Sequence, residues 1–317
     1  MKVFITGELV GNYEKLLTSK GFDVKVFKED RPITREEILL WGRDADALIT
    51  LLYDKIDKEI IDGLNNCKII ANCAVGFNNI DIEYAKKKNI VVTNTPDILT
   101  DATADLAAAL ILACARRFHE GNVMVRSKLF KGWKSQLLLG LDIKNKTVGI
   151  IGAGRIGSNV AKRLKAFGTK IIYFNRSKNS KMEKLLKAKK VSLNTLLKNA
   201  DFISIHLPLT EETYHMLNGI NLNLLKPTAV LVNTSRGEVI EEHALINLLK
   251  QHKIFAAGFD VYEDEPNINP ELLILDNVFL LPHIGSATIE TRSAMAEYCA
   301  KNIIQVLKGR KALTPVL

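Results

Sequence analysis

Short apolar runs alternate with segments of helical periodicity from the first residues of this chain. Five segments are predicted as strands, at residues 3–5, 24–27, 47–51, 68–73 and 90–93. Helical segments follow Gly11 and span residues 81–88. This alternation predicts that the first part of the chain forms a parallel α/β sheet of its own.

A second series of alternating elements begins near Val148. Residues 147–151 and 170–174 are apolar, and the helical segment 156–167 between them ends at Gly168. Together they predict a βαβ unit of ordinary length. Further buried strands are predicted by the apolar runs 229–232, 254–259 and 278–281.

The two series indicate two domains, one of them discontinuous. We expect the chain to leave the first domain at Asn94-Thr-Pro96 and to return to it through the strongly helical residues 289–307. The predicted bounds are 1–96, 97–284 for the inserted domain, and 285–317 for the return. The helix predicted at 103–117 is apolar nearly all round, so it needs burial on more than one side, and a subunit interface would provide it.

A glycine motif lies between the strand 147–151 and its helix, and reads Gly152-Ala-Gly154-Arg155-Ile156-Gly157. Gly152 permits a tight turn, Gly154 lets the backbone approach a pyrophosphate, and Gly157 allows the helix to pack closely on the strand. The helix N-terminus adds amide donors and a partial positive charge. A glycine-rich turn that binds nothing is the alternative, but the complete βαβ frame favours a dinucleotide site.

Asn175-Arg176-Ser177 follow the second strand of this unit. NAD-binding proteins usually carry an Asp or Glu there for the adenosine ribose. A carboxylate would repel a 2′-phosphate, whereas Arg176 can pair with it and Asn175 and Ser177 can donate hydrogen bonds to it. The segment therefore predicts NADPH as the cofactor, with NADH possible. The alternative is a solvated basic turn in a lysine-rich protein.

Three further strand ends carry an arginine, a carboxylate and a histidine, in Asn233-Thr-Ser-Arg236-Gly237, Asp260-Val-Tyr-Glu-Asp-Glu265 and Pro282-His283-Ile-Gly285-Ser286. Ligands bind at the carboxyl ends of strands in open α/β sheets. A guanidinium can stabilise negative charge that develops on an oxygen, and an imidazolium can deliver a proton to it. The combination predicts a hydride-transfer enzyme.

The residues alone leave two assignments open. His206 also follows an apolar run, so it competes with His283 for the role of proton donor. Glu263 and Asp264 compete in the same way with Glu265.

Composition adds limits to this interpretation. The 44 Lys and Arg residues exceed the 35 Asp and Glu residues, and the formal net charge of +9 suits an anionic cofactor and substrate. The lysines of residues 178–190 alternate with apolar residues at helical spacing, which predicts a solvated helix face. No basic tail or aromatic platform supports nucleic-acid binding, so we expect none.

The four cysteines, Cys67, Cys73, Cys114 and Cys299, have neither paired nor metal-ligand spacing. They predict no disulfide, no metal site and a reducing compartment. No segment approaches ~18 uninterrupted apolar residues. We therefore expect a cytoplasmic protein without membrane association.

Taken together, the motifs resemble those of the D-isomer-specific 2-hydroxyacid dehydrogenases over essentially the whole chain, and most of all the glyoxylate/hydroxypyruvate reductases. Besides the segments quoted above, the resemblance rests on Cys73-Ala-Val75-Gly76-Phe-Asn-Asn-Ile-Asp81, Asn94-Thr-Pro-Asp-Ile-Leu-Thr-Asp-Ala-Thr-Ala-Asp105 and His206-Leu-Pro208-Leu-Thr-Glu-Glu-Thr213. It implies two doubly wound parallel-sheet domains, a Rossmann nucleotide-binding domain inserted into a flavodoxin-like substrate domain, and a homodimer.

The resemblance also implies a role for each site residue. Arg236 would hold the substrate carboxylate and polarise the C2 carbonyl, His283 would be the acid/base, and Glu265 its orienting partner. The other expected substrate contacts are Leu51, Leu52, Val75, Gly76 and Ser286. The expected cofactor contacts beyond the glycine motif and residues 175–177 are His206, Pro208, Thr213, Thr234, Ser235, Asp260, His283 and Gly285.

The predicted function is NADPH-preferring reduction of small 2-oxo acids, such as glyoxylate and hydroxypyruvate, to D-2-hydroxy acids. A dehydrogenase of the lactate or phosphoglycerate type is an alternative, because fold and catalytic residues do not fix the C3 substituent. A second alternative is a dinucleotide-sensing binding protein, since this fold also serves as a transcriptional corepressor.

Overall fold

A computed structural model gives the structure of residues 1–316; Leu317, which ends the predicted segment 285–317, lies outside the described residues. The chain forms two compact units. One consists of residues 1–99 and the chain from Ser286 onward, and the other of residues 100–285. Among the described residues, no helix has the length and apolar character that crossing a membrane requires.

The first unit is built on a five-stranded parallel sheet in the order β2-β1-β3-β4-β5. This is the flavodoxin-like order. The strands are β1 (Lys2–Ile5), β2 (Asp23–Val26), β3 (Ala47–Thr50), β4 (Ile69–Asn72) and β5 (Val91–Thr93). Its helices are α1 (Tyr13–Thr18), α2 (Arg35–Gly42), α3 (Lys58–Gly63), α4 (Ile82–Lys87) and the C-terminal α13 (Ile289–Leu307).

Both faces of this sheet are buried over β1, β3, β4 and β5, which explains why these strands are mainly apolar, whereas the edge strand β2 alternates exposed and half-buried residues. Successive residues of a strand point to opposite faces. Phe4, Leu48 and Ile70 therefore pack in one layer with α2, α3 and α4. Their neighbours along the strands form the other layer, with α1 and α13.

The second unit contains a seven-stranded parallel sheet in the order β12-β11-β10-β9-β6-β7-β8. Its strands are β6 (Thr147–Ile151), β7 (Lys170–Phe174), β8 (Lys189–Lys190), β9 (Phe202–Ile205), β10 (Val230–Asn233), β11 (Ala256–Phe259) and β12 (Val278–Leu280). Counted from β6, this is the Rossmann order with one strand added at an edge, so the predicted fold class is confirmed. The chain order reverses between β6 and β9, where such folds bind dinucleotides.

The helices of the second unit are α5 (Thr100–Ala115), α6 (Phe118–Arg126), α7 (Arg155–Ala166), α8 (Ser180–Leu186), α9 (Leu193–Asn199), α10 (Gly219–Leu222), α11 (Glu242–Lys250) and α12 (Pro270–Leu273), with a 3-10 turn at Gly237–Val239. Helix α5 packs against α7 and against β10 and β11. Its apolar surface on several sides is thus buried inside its own unit.

The lysine-rich stretch 178–190 differs from its prediction. It is helical only over α8, after which Lys187 adopts a left-handed backbone conformation with φ of 54° and ends the helix. Lys189 and Lys190 then pair with β7 as an edge strand. The lysine side chains are exposed to solvent, as expected. Helical spacing could not predict that Lys189 and Lys190 pair with the open edge of β7.

Candidate active site

Three predicted site residues follow neighbouring strands of the second unit. Strand β11 pairs in parallel with β10 on one side and with β12 on the other. Their carboxyl ends are therefore adjacent, and Arg236, Glu265 and His283 lie in the segments that follow them. Parallel topology alone thus gathers an arginine, a carboxylate and a histidine at one edge of the sheet.

His283 and Glu265 form a hydrogen-bonded pair. Nδ1 of His283 lies 2.8 Å from Oε2 of Glu265, and both side chains are mostly buried. The other carboxylate oxygen, Oε1, accepts a hydrogen bond from Tyr262 N–H at 2.9 Å, while the Tyr262 hydroxyl donates to Leu281 O at 2.8 Å. The Glu265 carboxylate is thus anchored to the backbone of Tyr262, and a carboxylate in this position fixes the orientation of the imidazole.

The turn that carries Arg236 is held by a buried asparagine. Asn233 Nδ2 donates to Arg236 O at 2.8 Å, and Asn233 Oδ1 accepts from the backbone N–H and the hydroxyl of Ser235 at 3.0 and 2.8 Å. Nη1 of Arg236 donates to Ser235 O at 2.7 Å. No role of Asn233 was predicted from the sequence, although its place at the end of an apolar run was the available signal.

Gly237 brings the Arg236 turn against the loop that carries Glu265. A Cβ atom added at Gly237 would lie 1.9 Å from Tyr262 C and 2.1 Å from Tyr262 O. Only glycine allows two backbone segments to approach so closely. The guanidinium-bearing turn is therefore packed directly on the residues that orient His283.

Asp260 supports the backbone beyond His283. It is 1% exposed, and its two carboxylate oxygens accept hydrogen bonds from Ile284 N–H and Gly285 N–H, each at 2.7 Å. Burial raises the pKa of the Asp260 carboxyl, while the Ile284 amide and the nearby His283 act in the opposite direction. The adjoining His283 has a left-handed backbone with φ of 53°. The predicted contact of Asp260 with the cofactor stays a prediction.

His206, the competing histidine, lies at the end of β9 in a different environment. Its Nε2 is 2.8 Å from Ser204 Oγ, and burial lowers its pKa to about 3. The ring is therefore neutral near pH 7 and holds no imidazolium proton to deliver. This geometry favours His283 as the proton donor.

Glu263 and Asp264, which compete with Glu265 for the role of partner to His283, lie in other environments. Oε1 of Glu263 lies 2.6 Å from Nε2 of His215, and Asp264 is exposed. Of the three acidic residues left open by the sequence, Glu265 is the one bonded to His283.

Two glycines of the dinucleotide motif are required by the chain itself. Gly152 has φ of 93°, and a Cβ there would lie 2.4 Å from His206 O. A Cβ at Gly157 would lie 2.1 Å from Gly152 O, so the first turn of α7 could not pack on the end of β6. Both positions fit the structural roles predicted from the motif.

Nothing in residues 1–316 requires a glycine at position 154. Its φ is −77°, which any residue adopts, and a Cβ there would meet no atom of residues 1–316 within 4 Å. Arg155 and Ile156 begin α7 directly after it. The open space beside Gly154 fits a pyrophosphate approaching the helix N-terminus.

Two buried polar atoms near this strand edge have no hydrogen-bond partner in the part of the chain that the structure describes, namely Thr234 Oγ1 and His206 Nδ1. Leaving a buried polar group unpaired costs about 1–3 kcal/mol. Both residues were predicted to contact the cofactor. The residues present therefore fit a bound dinucleotide, which would bring polar groups to the orphaned atoms.

The loop after β9 is shaped by Thr213. Its hydroxyl donates to Pro208 O at 2.6 Å and accepts from Thr210 N–H at 2.8 Å. Pro208 is exposed and Thr213 is buried. The loop is thus pre-formed, and the predicted cofactor contacts of both residues stay predictions.

The segment after β7 is open to solvent. Asn175 Nδ2 donates to Ser177 O at 3.1 Å. The Arg176 side chain is 89% exposed, and its Nη1 lies 3.6 Å from Oε2 of Glu212. Exposed pairs of this kind contribute little stability, so the guanidinium can turn toward another anion. Glu212 as the neighbour of Arg176 was not predicted from the sequence.

The predicted substrate residues of the first unit lie in loops after β3 and β4. Val75 O accepts from Asn94 Nδ2 and Gly76 O from Asn72 Nδ2, both at 2.8 Å. Among the described residues, nothing accepts a hydrogen bond from the N–H groups of Val75 and Gly76. This loop therefore presents two successive amide donors, which suits an anionic ligand.

The remaining substrate candidates are also in this unit. Leu51 N–H donates to Asp54 Oδ2 at 2.6 Å, and Leu51 O accepts from Asn79 Nδ2 at 3.2 Å. Leu51, Leu52 and Ser286 are half-buried. Within residues 1–316, no group of three or more His, Cys, Asp or Glu side chains could hold a metal ion.

Comparison with known proteins agrees with this geometry. The family model "D-isomer specific 2-hydroxyacid dehydrogenase, NAD binding domain" matches residues 108–285, more than half of the chain. A glyoxylate reductase of Thermococcus litoralis is 51% identical over 312 residues, which cover 97% of this chain and 94% of the relative.

Two solved structures are similar over nearly the whole chain. A glyoxylate reductase from Paecilomyes thermophila has a TM-score of 0.89 at 33% identity, with 100% of this chain and 98% of that one covered. An NADPH-dependent glyoxylate/hydroxypyruvate reductase from Sinorhizobium meliloti, in complex with NADP and malonate, has a TM-score of 0.85 at 30% identity, with 99% and 96% covered.

Proposed function

The chain belongs to the D-isomer-specific 2-hydroxyacid dehydrogenases, and on that premise we propose that it reduces glyoxylate and hydroxypyruvate with NADPH as its preferred cofactor. The family consists of NAD(P)-dependent oxidoreductases. The observation that carries the proposal is the His283–Glu265 pair, 2.8 Å apart, packed beside the Arg236 turn. The names of the similar reductases support glyoxylate and hydroxypyruvate as substrates.

Each of these residues has a defined task in the reaction. Bound reduced nicotinamide supplies the hydride. Arg236 holds the substrate carboxylate and stabilises the negative charge that develops on the C2 oxygen. His283 gives that oxygen its proton from Nε2, because Nδ1 faces Glu265. Glu265 keeps the ring in place through its bond to Nδ1. In the first unit, the N–H groups of Val75 and Gly76 are assigned to the substrate carboxylate.

A panel of 2-oxo acids tests the substrate assignment. Purified protein with NADPH should reduce glyoxylate and hydroxypyruvate faster than pyruvate or a phosphorylated hydroxypyruvate. Preference for either of the last two acids would favour a lactate-type or phosphoglycerate-type dehydrogenase. No turnover on any acid would favour the dinucleotide-sensing binding protein.

Cofactor choice is assigned to Arg176. We expect kcat/KM for NADPH to exceed that for NADH, and Arg176→Ala to reduce the preference by weakening NADPH. One charge-assisted hydrogen bond of ~1.5 to 3 kcal/mol corresponds to roughly ten- to a hundredfold. The measurement is steady-state kinetics with both cofactors at saturating glyoxylate.

Arg310→Ala is the matched control, because it removes another exposed arginine remote in sequence from the glycine motif. It should leave the ratio of the two kcat/KM values unchanged. The assignment fails if the parent uses both cofactors equally, or if Arg176→Ala loses NADH and NADPH alike.

The protein is further proposed to be a homodimer. The segment after α5 exposes seven large apolar side chains, among them Trp133 at 83% exposure; the others are Phe118, Val123, Val125, Leu129, Phe130 and Leu139. A cluster of this kind marks an interaction surface. Because α5 is buried in its own unit, the interface is assigned to residues 118–139 rather than to the predicted helix 103–117.

Sedimentation equilibrium tests this assignment. The wild type should have twice the chain mass of 35.3 kDa, and Leu129→Glu should shift it toward the monomer. Ile220→Glu changes an apolar side chain that is 86% exposed elsewhere in the same unit, so it should leave the dimer intact. A monomeric wild type would contradict the assignment.

The cytoplasm is the proposed location, on the strength of the cysteines. All four are free thiols, and burial raises the pKa of Cys67 and Cys114 to about 12. Buried unpaired thiols are typical of proteins from a reducing compartment.

A further inference from the structure

The substrate loop of the first unit has an unusual hydrogen-bond pattern, in which its carbonyl groups are satisfied and two amide groups are not. Ala74 O, Val75 O and Gly76 O each accept a hydrogen bond from protein. The N–H groups of Val75 and Gly76 have no acceptor within the described part of the chain. A peptide unit is planar and trans, so its C=O and N–H point in opposite directions. Whatever holds the carbonyl of such a unit therefore also aims its N–H.

The segment after β5 holds both of these peptide units. Asn94 Nδ2 donates to Val75 O at 2.8 Å, which fixes the unit that contains Gly76 N–H. Thr95 N–H donates to Ala74 O at 2.9 Å, which fixes the unit that contains Val75 N–H. The bond from Asn94 comes from its side chain, whereas the bond from Thr95 comes from the backbone. A substitution at position 94 can therefore remove the bond to Val75 O.

Asn94 is in turn held by the C-terminal segment. The Thr314 hydroxyl donates to Asn94 O at 2.7 Å, and Asn94 N–H donates to Thr314 O at 3.4 Å. Thr93 and Pro315 form an antiparallel bridge beside them. The segment after α13 thus runs along the end of β5 and fixes the backbone from which Asn94 projects.

The C-terminal segment is itself tied to helix α13 by Asn302. This side chain is fully buried, and its Oδ1 accepts from Leu313 N–H at 2.9 Å and from Thr314 N–H at 3.2 Å. Asn302 Nδ2 donates to Thr314 Oγ1 at 3.1 Å. A continuous chain of hydrogen bonds therefore runs from Asn302 through Thr314 and Asn94 to Val75.

We propose that Asn94 is a positioning residue for substrate binding, which aims Gly76 N–H at the substrate carboxylate and is kept in place by Thr314. The inference rests on the proposed function, in which the N–H groups of Val75 and Gly76 bind that carboxylate. When the donors are already oriented, binding loses less free energy to ordering of the loop. We therefore expect Asn94 to affect the affinity for substrate rather than the rate of the chemical step.

The test is the split between KM and kcat in Asn94→Ala. The KM for glyoxylate should rise about tenfold, as expected for one lost hydrogen bond that organises an anion site, while kcat, the KM for NADPH and Tm stay near the wild-type values. Thr314→Val should raise the same KM by a smaller factor, about threefold, because Asn94 itself remains. This second variant also covers the case in which Asn94→Ala does not fold.

Calorimetric binding of oxalate to the NADPH-saturated protein gives a readout without turnover. Oxalate carries the carboxylate of a 2-oxo acid but accepts no hydride, and Asn94→Ala should weaken it by about the same factor as the KM changes. Asn66→Ala is the matched control, since Asn66 is exposed in the same unit before β4 rather than after it. It should change none of these quantities.

The inference is overturned if both variants keep the wild-type KM for glyoxylate and the wild-type affinity for oxalate. It is also overturned if kcat and Tm fall and the KM for NADPH rises along with the KM for glyoxylate, because that pattern marks a merely structural residue. The proposed function and the positioning role of Asn94 can be disproved separately. A wild type that binds oxalate without reducing glyoxylate overturns the proposed function, and Asn94→Ala still decides the positioning role. A wild type that reduces glyoxylate while Asn94→Ala behaves like it overturns only the inference.

Discussion

His283→Ala should lower kcat for glyoxylate reduction by about 10²-fold or more, while the Kd for NADPH stays close to that of the wild type. The substitution removes the proton donor and leaves the backbone anchors of Glu265 and Asp260 in place. The rate loss should therefore appear in kcat and not in cofactor binding. Steady-state kinetics together with fluorescence titration of NADPH separate the two quantities.

The control for this variant is His243→Ala, which removes an exposed histidine of α11 in the same unit. It should have wild-type kinetics. Wild-type turnover by His283→Ala, with the loss appearing in His206→Ala instead, would move the acid/base role to His206.

Arg236→Lys should reduce kcat/KM for glyoxylate by roughly ten- to a hundredfold, although the positive charge is kept. Lysine offers a point charge where the guanidinium can grip a carboxylate with two parallel hydrogen bonds. The loss of one charge-assisted hydrogen bond, ~1.5 to 3 kcal/mol, corresponds to this factor. The anchors of the turn, Asn233 and Gly237, are untouched, so Tm should stay near the wild-type value.

Arg310→Lys is the matched conservative change at an exposed position and should be neutral. If Arg236→Lys is as active as the parent, Arg236 serves the structure of the turn and not the substrate.

Much of the fold could be predicted because buried parallel strands are continuously apolar. The predicted segments 147–151, 170–174 and 289–307 coincide with β6, β7 and α13. The location of the candidate site followed as well, since polar residues after adjacent parallel strands must meet at one edge of the sheet. Local pattern and topology together carried this part of the prediction.

The choice between His206 and His283 could not be made from the residues. Both follow apolar runs, and what distinguishes them is the environment of each ring, which depends on distant parts of the chain. Burial lowers the pKa of His206 to about 3, whereas His283 is bonded to Glu265. The resemblance to a known family also implied His283 as the acid/base, but it did not supply this physical reason.

Contacts between distant segments were also beyond prediction. Gly237 packs closely on Tyr262, and Thr314 donates a hydrogen bond to Asn94. Each contact joins residues of different elements, and no periodicity in the sequence predicts it. The apolar helix α5 shows the same limit, because its pattern demands burial on several sides but does not say which elements supply it.

Transfer of deuterium from NADPH to the product tests whether this protein reduces glyoxylate by hydride transfer. Purified protein would be incubated with glyoxylate and NADPH that carries deuterium at the transferable C4 position of the nicotinamide, and the product examined by mass spectrometry. We expect glycolate with deuterium on C2, formed by the wild-type protein and nearly absent with His283→Ala. Glycolate without the label, or no glycolate from the wild type, would show that the protein does not transfer hydride to glyoxylate.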